Sequence, residues 1–185
     1  MIMHKNDIIN YSVAATLRDG SSVTIRAIRH DDIALIADAL SRVSPASLYQ
    51  RTFSARRIFS DKELERLVNI DFERIVALVA IMQDAGRDMI VGEGRYVRTD
   101  GPTGTSAEVA FLVADELQGI GIGSLIFRYL AAIARPAGVM RFEAELLGWN
   151  ERMMRLFMRS GFPIARKSSG ATIHVTIELH KSGTQ

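Results

Sequence analysis

The chain has 185 residues, a formal net charge of +2 and no cysteine. Its length suits one domain around one core. The small charge excess excludes a purely electrostatic case for nucleic acid or membrane, and the missing thiols exclude disulfides, thiolate metal sites and a cysteine nucleophile. Hydrophobic residues make up 48% of the chain, enough for a packed interior without internal repeats or low-complexity segments. No N-terminal apolar run follows a basic start, and the longest apolar run, Ile75 to Met82, is too short to span a bilayer. A cytoplasmic protein, monomeric or homodimeric and without a metal, is expected.

Residues 1–12 show no periodicity and are expected to be a loosely docked end. Val13–Leu17 and Val23–Arg29 flank Arg18-Asp19-Gly20-Ser21, and Asp-Gly between apolar alternations predicts a hairpin. Asp31 or Asp32 is placed to cap a helix with Ile33, Ile36, Ala37 and Leu40 on one stripe. His30, just before the cap, is expected to be an unpartnered surface residue. Pro45 ends this helix, and Ser44 is placed to cap a second one running to about Phe53. Arg51, Arg56 and Arg57 read as a solvated basic cluster. Ser60 or Asp61 caps a third helix, with Glu63 in capping-box position for Ser60.

Arg74–Met82 is β-branched and nearly all apolar, which predicts a strand buried on both faces. A turn at Asp84–Asp88 leads into a strand at Met89–Arg98, whose Gly92 and Gly94 mark a weak point or bulge. After a loop at 100–104, Ser106–Val113 is a third central strand. Ile122, Leu125, Ile126, Tyr129, Leu130 and Ile133 then repeat at helical spacing, ending before Pro136 and Gly138. Val139–Leu147 alternates as a strand. Asn150 caps a last helix, with Met153, Met154, Phe157 and Met158 inward and Gly161 closing it. Ala171–Leu179 is the final strand, with His174 on its exposed face, and 181–185 is a tail. No linker divides residues 13–180, so the order predicts a single mixed α/β domain.

The stretch between the third central strand and its helix, Gln118-Gly119-Ile120-Gly121-Ile122-Gly123, carries the clearest chemistry. Glycines at alternate positions let a backbone approach a ligand closely. They lead into a helix start, where free N–H groups and the dipole favour an anion. The pattern is neither a P-loop, since no lysine follows Gly123, nor a dinucleotide fingerprint, since the third glycine comes one residue early. It does match Q-x-x-G-x-G. On this turn, and on Asn150, Met153 and Gly161-Phe162 in the last helix, the chain resembles the GNAT superfamily of acyl-CoA-dependent N-acyltransferases from Val23 to about Leu179. Ile25–Asp32 and Ser44–Phe53 look like the bacterial protein lysine acetyltransferase (Pat) branch. They depart from it at Ala27 and His30, where proline is usual, and at Thr52, inserted before Phe53.

The resemblance implies an α+β fold. A mixed, mostly antiparallel sheet of six to seven strands is splayed between the strand before the glycine turn and the strand after the following helix, with helices on both faces. It implies acetyl-CoA as co-substrate, with its pyrophosphate on the amides of Gln118, Gly119, Ile120, Gly121, Ile122 and Gly123. Pantetheine is expected along Phe111, Leu112 and Val113, with Asn150 and Met153 nearby. The family commonly carries a cation where this chain has Ile120.

Transfer to an amine needs that amine neutral, and removing a proton of pKa about 10.4 at pH 7 costs about 4.6 kcal/mol. A carboxylate is the expected helper. Glu108, on the strand leading to the expected pantetheine edge, is the candidate base, with Glu93, Glu143 and Glu145 as rivals. An N–H at Val113 or its neighbour is the candidate oxyanion donor. The family's proton-donating tyrosine in the last helix is replaced by Phe157, so no general acid is assigned. Arg152, Arg155 and Arg159 read as a solvated stripe, with contact to the acceptor protein or a CoA phosphate as the alternative. The expected acceptor is a protein lysine. The alternatives are a small amine or protein N-terminus, and a non-catalytic acyl-CoA-binding module.

Overall fold

The computed structural model describes residues 4–52, 59–101 and 103–180. The N-terminal stretch forms a short helix, α1 (Lys5–Ile9), whose Ile8 is buried in the core. The hairpin follows as β1 (Ser12–Thr16) and β2 (Ser22–Ala27). Asp19 Oδ1 shapes its turn by accepting from the Ser21 N–H at 3.0 Å and the Ser21 hydroxyl at 2.6 Å.

The arginine of β2 settles a local question. Arg26 is buried and donates through two nitrogens to both oxygens of Asp32, each at 2.7 Å, while Asp32 also accepts the Arg29 N–H at 2.8 Å. Asp32 therefore does not cap α2 (Ile33–Arg42) with its side chain; it neutralises a buried guanidinium instead. His30 is not unpartnered, since its Nδ1 lies 2.7 Å from Asn69 Oδ1. In α3 (Pro45–Thr52) the Ser47 N–H donates to Ser44 Oγ at 3.2 Å, the cap the sequence predicts. Ahead of α4 (Asp61–Val68), Glu63 accepts the Ser60 N–H at 2.8 Å, closing the capping box.

The remaining elements are β3 (Ile75–Asp84), β4 (Arg87–Arg98), β5 (Ser106–Val113), α5 (Ile122–Ala134), β6 (Arg141–Leu147), α6 (Glu151–Met158), β7 (Ile164–Ser169) and β8 (Thr172–Glu178). They complete one sheet in the order β1-β2-β3-β4-β5-β6-β8-β7, antiparallel except for β5 beside β6. The sheet holds eight strands, where the sequence predicts six or seven. The extra strand is β7, an edge strand with only Ile164 partly buried and Ala165–Ser169 exposed, so it carries no apolar alternation to read. Met158, expected inward, is exposed on α6.

Helices cover both faces. A Cβ on Gly92 would lie 2.8 Å from Ile122 Cγ2, and one on Gly94 2.5 Å from Ile126 Cγ2 and 2.6 Å from Phe111 Cδ1, so the two glycines let α5 sit directly on β4. A register irregularity lies beside them, opposite Ala80 and Ile81. On the other face Arg95 donates to the carbonyl of Leu67 at 3.3 Å, near the end of α4. Arg98, buried at the end of β4, donates to the carbonyls of Glu73, Gly104 and Ala137 at 3.0, 2.6 and 2.6 Å, and so ties three loops together.

Candidate active site

β5 has two unlike edges. Toward β4 it pairs from Ala107 to Val113; toward β6 it pairs only at Ser106, Ala107 and Glu108, opposite Arg141, Phe142 and Glu143. Beyond Glu108 the two strands part. The direction of the backbone groups follows from two fixed bonds. Ala114 N–H donates to Val91 at 2.9 Å, toward β4, and the Thr105 carbonyl accepts from Met140 at 2.7 Å, toward β6. Alternation then turns the N–H and C=O of Val109, Phe111 and Val113 to the open side. The main chain of Leu112 faces β4, so of the predicted pantetheine edge Phe111 and Val113 present backbone and Leu112 presents only its side chain to the cleft.

The opening between the strands is a cleft of about 620 Å³, floored by Phe111 and Phe157. Phe157 is fully buried, edge-on to Phe111 at 6.3 Å and 5.9 Å from Phe127, within an aromatic cluster that includes Phe142 and Phe162. A ring here supplies packing and no proton. Asn150 also borders the cleft; its Oδ1 accepts the Met153 N–H at 3.2 Å, capping α6 and presenting Met153 to the opening.

At one end of the cleft stands the glycine turn. Gly119 and Gly121 have φ of +93° and +113°, values that disfavour any Cβ. Among the described residues no acceptor takes the N–H of Gly119, Ile120 or Gly121. Below them the first-turn amides of α5 lack partners by helix geometry. The Ile120 side chain packs against the core rather than into the main cleft.

A polar network holds this turn. Asp115 accepts from the Ser44 N–H at 2.8 Å, the Ser44 hydroxyl at 3.1 Å and the Ser47 hydroxyl at 2.6 Å. Gln118 Nε2 donates to the Val113 carbonyl at 3.0 Å, and Arg152 donates to Gln118 Oε1. Partial burial pushes the Asp115 carboxyl up, but the bonds from Ser47 and Ser44 and the charge of Arg152 hold it below the usual carboxylate range. The Gln118 bond also occupies the last carbonyl of the open edge, leaving the Val113 N–H as a donor.

At the other end the cleft is acidic. Glu108 is exposed on the last rung before the strands part, in register with Glu143, and Glu145 lines the cleft beyond. Glu93 lies on the same sheet face but is bonded to Arg95, and Glu143 is 4.0 Å from Arg141. Among the described residues Glu108 and Glu145 have no cation within ion-pair distance. Arg51, predicted to be solvated, instead lines the wall. Burial pulls its pKa below the usual value, and Arg95 adds to the pull while Glu93 and Glu108 oppose it. Arg56 and Arg57 lie outside the described residues. The sequence gives no sign of Arg51 or of the Ser47–Asp115 bond as parts of the site, because each depends on packing between distant segments.

An open strand edge beside unpartnered helix-start amides fits a ligand with an amide-bearing arm and a diphosphate. Residues 44–162 match the model of the acetyltransferase (GNAT) family. The chain belongs to the GNAT family. An acetyltransferase of Pseudomonas aeruginosa is 29% identical over 85% of this chain and 83% of its own length. The acetyltransferase Pat of Mycolicibacterium smegmatis is 30% identical over 87% of this chain, which spans only 47% of that protein. The crystal structure of the GNAT domain of S. lividans PAT superposes with a TM-score of 0.80 at 31% identity, covering 90% of this chain and 96% of that one. This GNAT domain is an acyl-CoA-dependent N-acetyltransferase. No described helix is long and apolar enough to cross a membrane, and no group of three His, Asp or Glu among the described residues could hold a metal ion.

Proposed function

We propose that this domain transfers the acetyl group to the ε-amine of a lysine in a protein, by direct attack with Glu108 as general base. The observation that carries the reading is the position of Glu108: an exposed carboxylate at the fork of β5 and β6, below the open edge and next to Glu143. Carboxylates at this mouth draw in an ammonium group, and Glu108 takes its proton directly or through one water. The neutral nitrogen then attacks the thioester carbonyl beside the Val113 N–H, which stabilises the developing oxyanion. The leaving thiol has an ordinary pKa of about 8.5, so water suffices to protonate it where Phe157 cannot.

In this reading the amides from Gly119 to Gly123 hold the diphosphate, with Gln118 fixing the turn. Phe111 bonds the pantetheine arm and the Val113 N–H serves its thioester end, while Leu112, Asn150 and Met153 line the arm. The Pat relatives favour a protein lysine as acceptor. The test is acetyl-CoA with three acceptor classes: folded proteins analysed for lysine acetylation, peptides with free N-termini, and small amines. Lysine modification that disappears with Glu108→Gln supports the reading. Turnover only on small amines or N-termini replaces the acceptor. Acetyl-CoA binding without turnover on any class leaves a binding module.

A further inference from the structure

The glycine turn offers a diphosphate only neutral residues, from Gly119 to Gly123. Backbone amides alone face a ligand that carries full negative charges, so a cation nearby strengthens the site. Five arginines line the main cleft: Arg51, beside Glu93 and Glu108 at its acidic end, and Arg18, Arg152, Arg155 and Arg159. Two are engaged, Arg152 with Gln118 and Arg155 with Glu151 at 2.9 Å. Arg159 follows the last residue of α6 and lines the cleft from that helix, with no bond to the turn's backbone among the described residues.

Arg18 comes from the β1–β2 hairpin and lies on the turn itself. Its N–H donates to the Ile120 carbonyl at 3.2 Å, and a Cβ built on Gly121 would lie 3.7 Å from both its Cγ and its Nε. Its guanidinium is exposed and, among the described residues, has no carboxylate in ion-pair distance. The adjacent Asp19 turns its Oδ1 to Ser21 and lies beyond ion-pair distance of Arg18. Arg18 also borders a second groove of about 500 Å³ on the outer side of α5, and so stands where the two openings meet.

We infer that Arg18 binds the diphosphate of acetyl-CoA from across the glycine turn, as the cation that the turn's own sequence lacks. The inference rests on the reading that this turn holds the diphosphate. It makes the hairpin part of the binding site, clamped to the turn by the Arg18–Ile120 bond and to the ligand by the guanidinium. A hydrogen bond to a charged group contributes roughly 1.5–3 kcal/mol, which corresponds to about a ten- to hundred-fold change in affinity.

Titration calorimetry of the wild type and Arg18→Gln with acetyl-CoA, acetyl-dephospho-CoA and S-acetylpantetheine tests it. The expected result is that Arg18→Gln reduces the preference for both diphosphate-bearing donors over S-acetylpantetheine by about ten- to hundred-fold, with an unchanged melting temperature. A preference within twofold of wild type overturns the inference while leaving the cradle intact. A loss with acetyl-CoA but not with its dephospho form assigns Arg18 to the 3′-phosphate and overturns the diphosphate contact. Wild-type protein that gains nothing from the diphosphate overturns the cradle, and this inference with it.

Discussion

The two edges of β5 share one strand and have opposite fates. The edge toward β4 is paired from Ala107 to Val113 and sealed by α5, which packs onto Gly92 and Gly94. The edge toward β6 is released after Glu108. An unpaired edge inside a sheet is costly when buried and prone to aggregation when bare. Here it is confined to a cleft, and its last carbonyl is already taken by Gln118. The difference shows that withholding strand pairing can make a binding site, with the paired edge supplying the rigidity.

Substitutions at the fork separate the two edges, beginning with the largest effect. Glu108→Gln is expected to lower kcat by about a hundred- to ten-thousand-fold while leaving acetyl-CoA affinity near wild type, measured by steady-state kinetics and calorimetry. An equal loss of affinity would place Glu108 in ligand binding rather than catalysis. The same glycine-to-alanine change should then act differently on the two edges. Gly94→Ala forces a Cβ against Ile126 and Phe111, and overpacking of this kind costs about 1–3 kcal/mol of stability, read as a lower urea midpoint. Gly121→Ala places a Cβ at φ of +113°, a strain of about 1–2 kcal/mol, and is expected to weaken acetyl-CoA by about tenfold. If Gly94→Ala lost ligand without losing stability, the division between the edges would fail.

The smallest effect is in the network that holds the turn. Asp115 titrates below the usual carboxylate range in the folded protein, so its contribution is complete above the unfolded value of about 3.9 and is lost as pH falls through the folded pKa. Asp115→Asn should therefore be less stable than wild type at pH 7, with the gap closing below about pH 4. Urea midpoints measured across that range check the sign, and a gap that widens on acidification contradicts it.

The sequence revealed most of the paired edge and the glycine turn beside the open one. Long β-branched runs such as Ile75–Met82 can be little but buried strand, and Gly119, Gly121 and Gly123 declare themselves by spacing. Asn150 and Ser60 cap the helices that their positions predict. What stayed hidden depends on contacts between distant segments. Nothing near Arg26 says that Asp32 is spent on it, nothing in Ser47 points to Asp115, and nothing in a hairpin turn ties Arg18 to Ile120. β7 escaped because Arg166, Lys167, Ser168 and Ser169 are exposed edge residues, held by pairing with β8 rather than by burial. Which backbone groups of β5 face the opening also needed the register, since a shift of one residue exchanges Leu112 for its neighbours.

Amide hydrogen exchange along β5, followed by NMR with and without acetyl-CoA, tests the open edge most directly. The N–H groups of Ala110 and Leu112, directed toward β4, should be protected in both states. Those of Phe111 and Val113 should exchange fast in the free protein and slow markedly when acetyl-CoA saturates it. Protection of Phe111 and Val113 before ligand is added, or no change at saturation, would contradict the account.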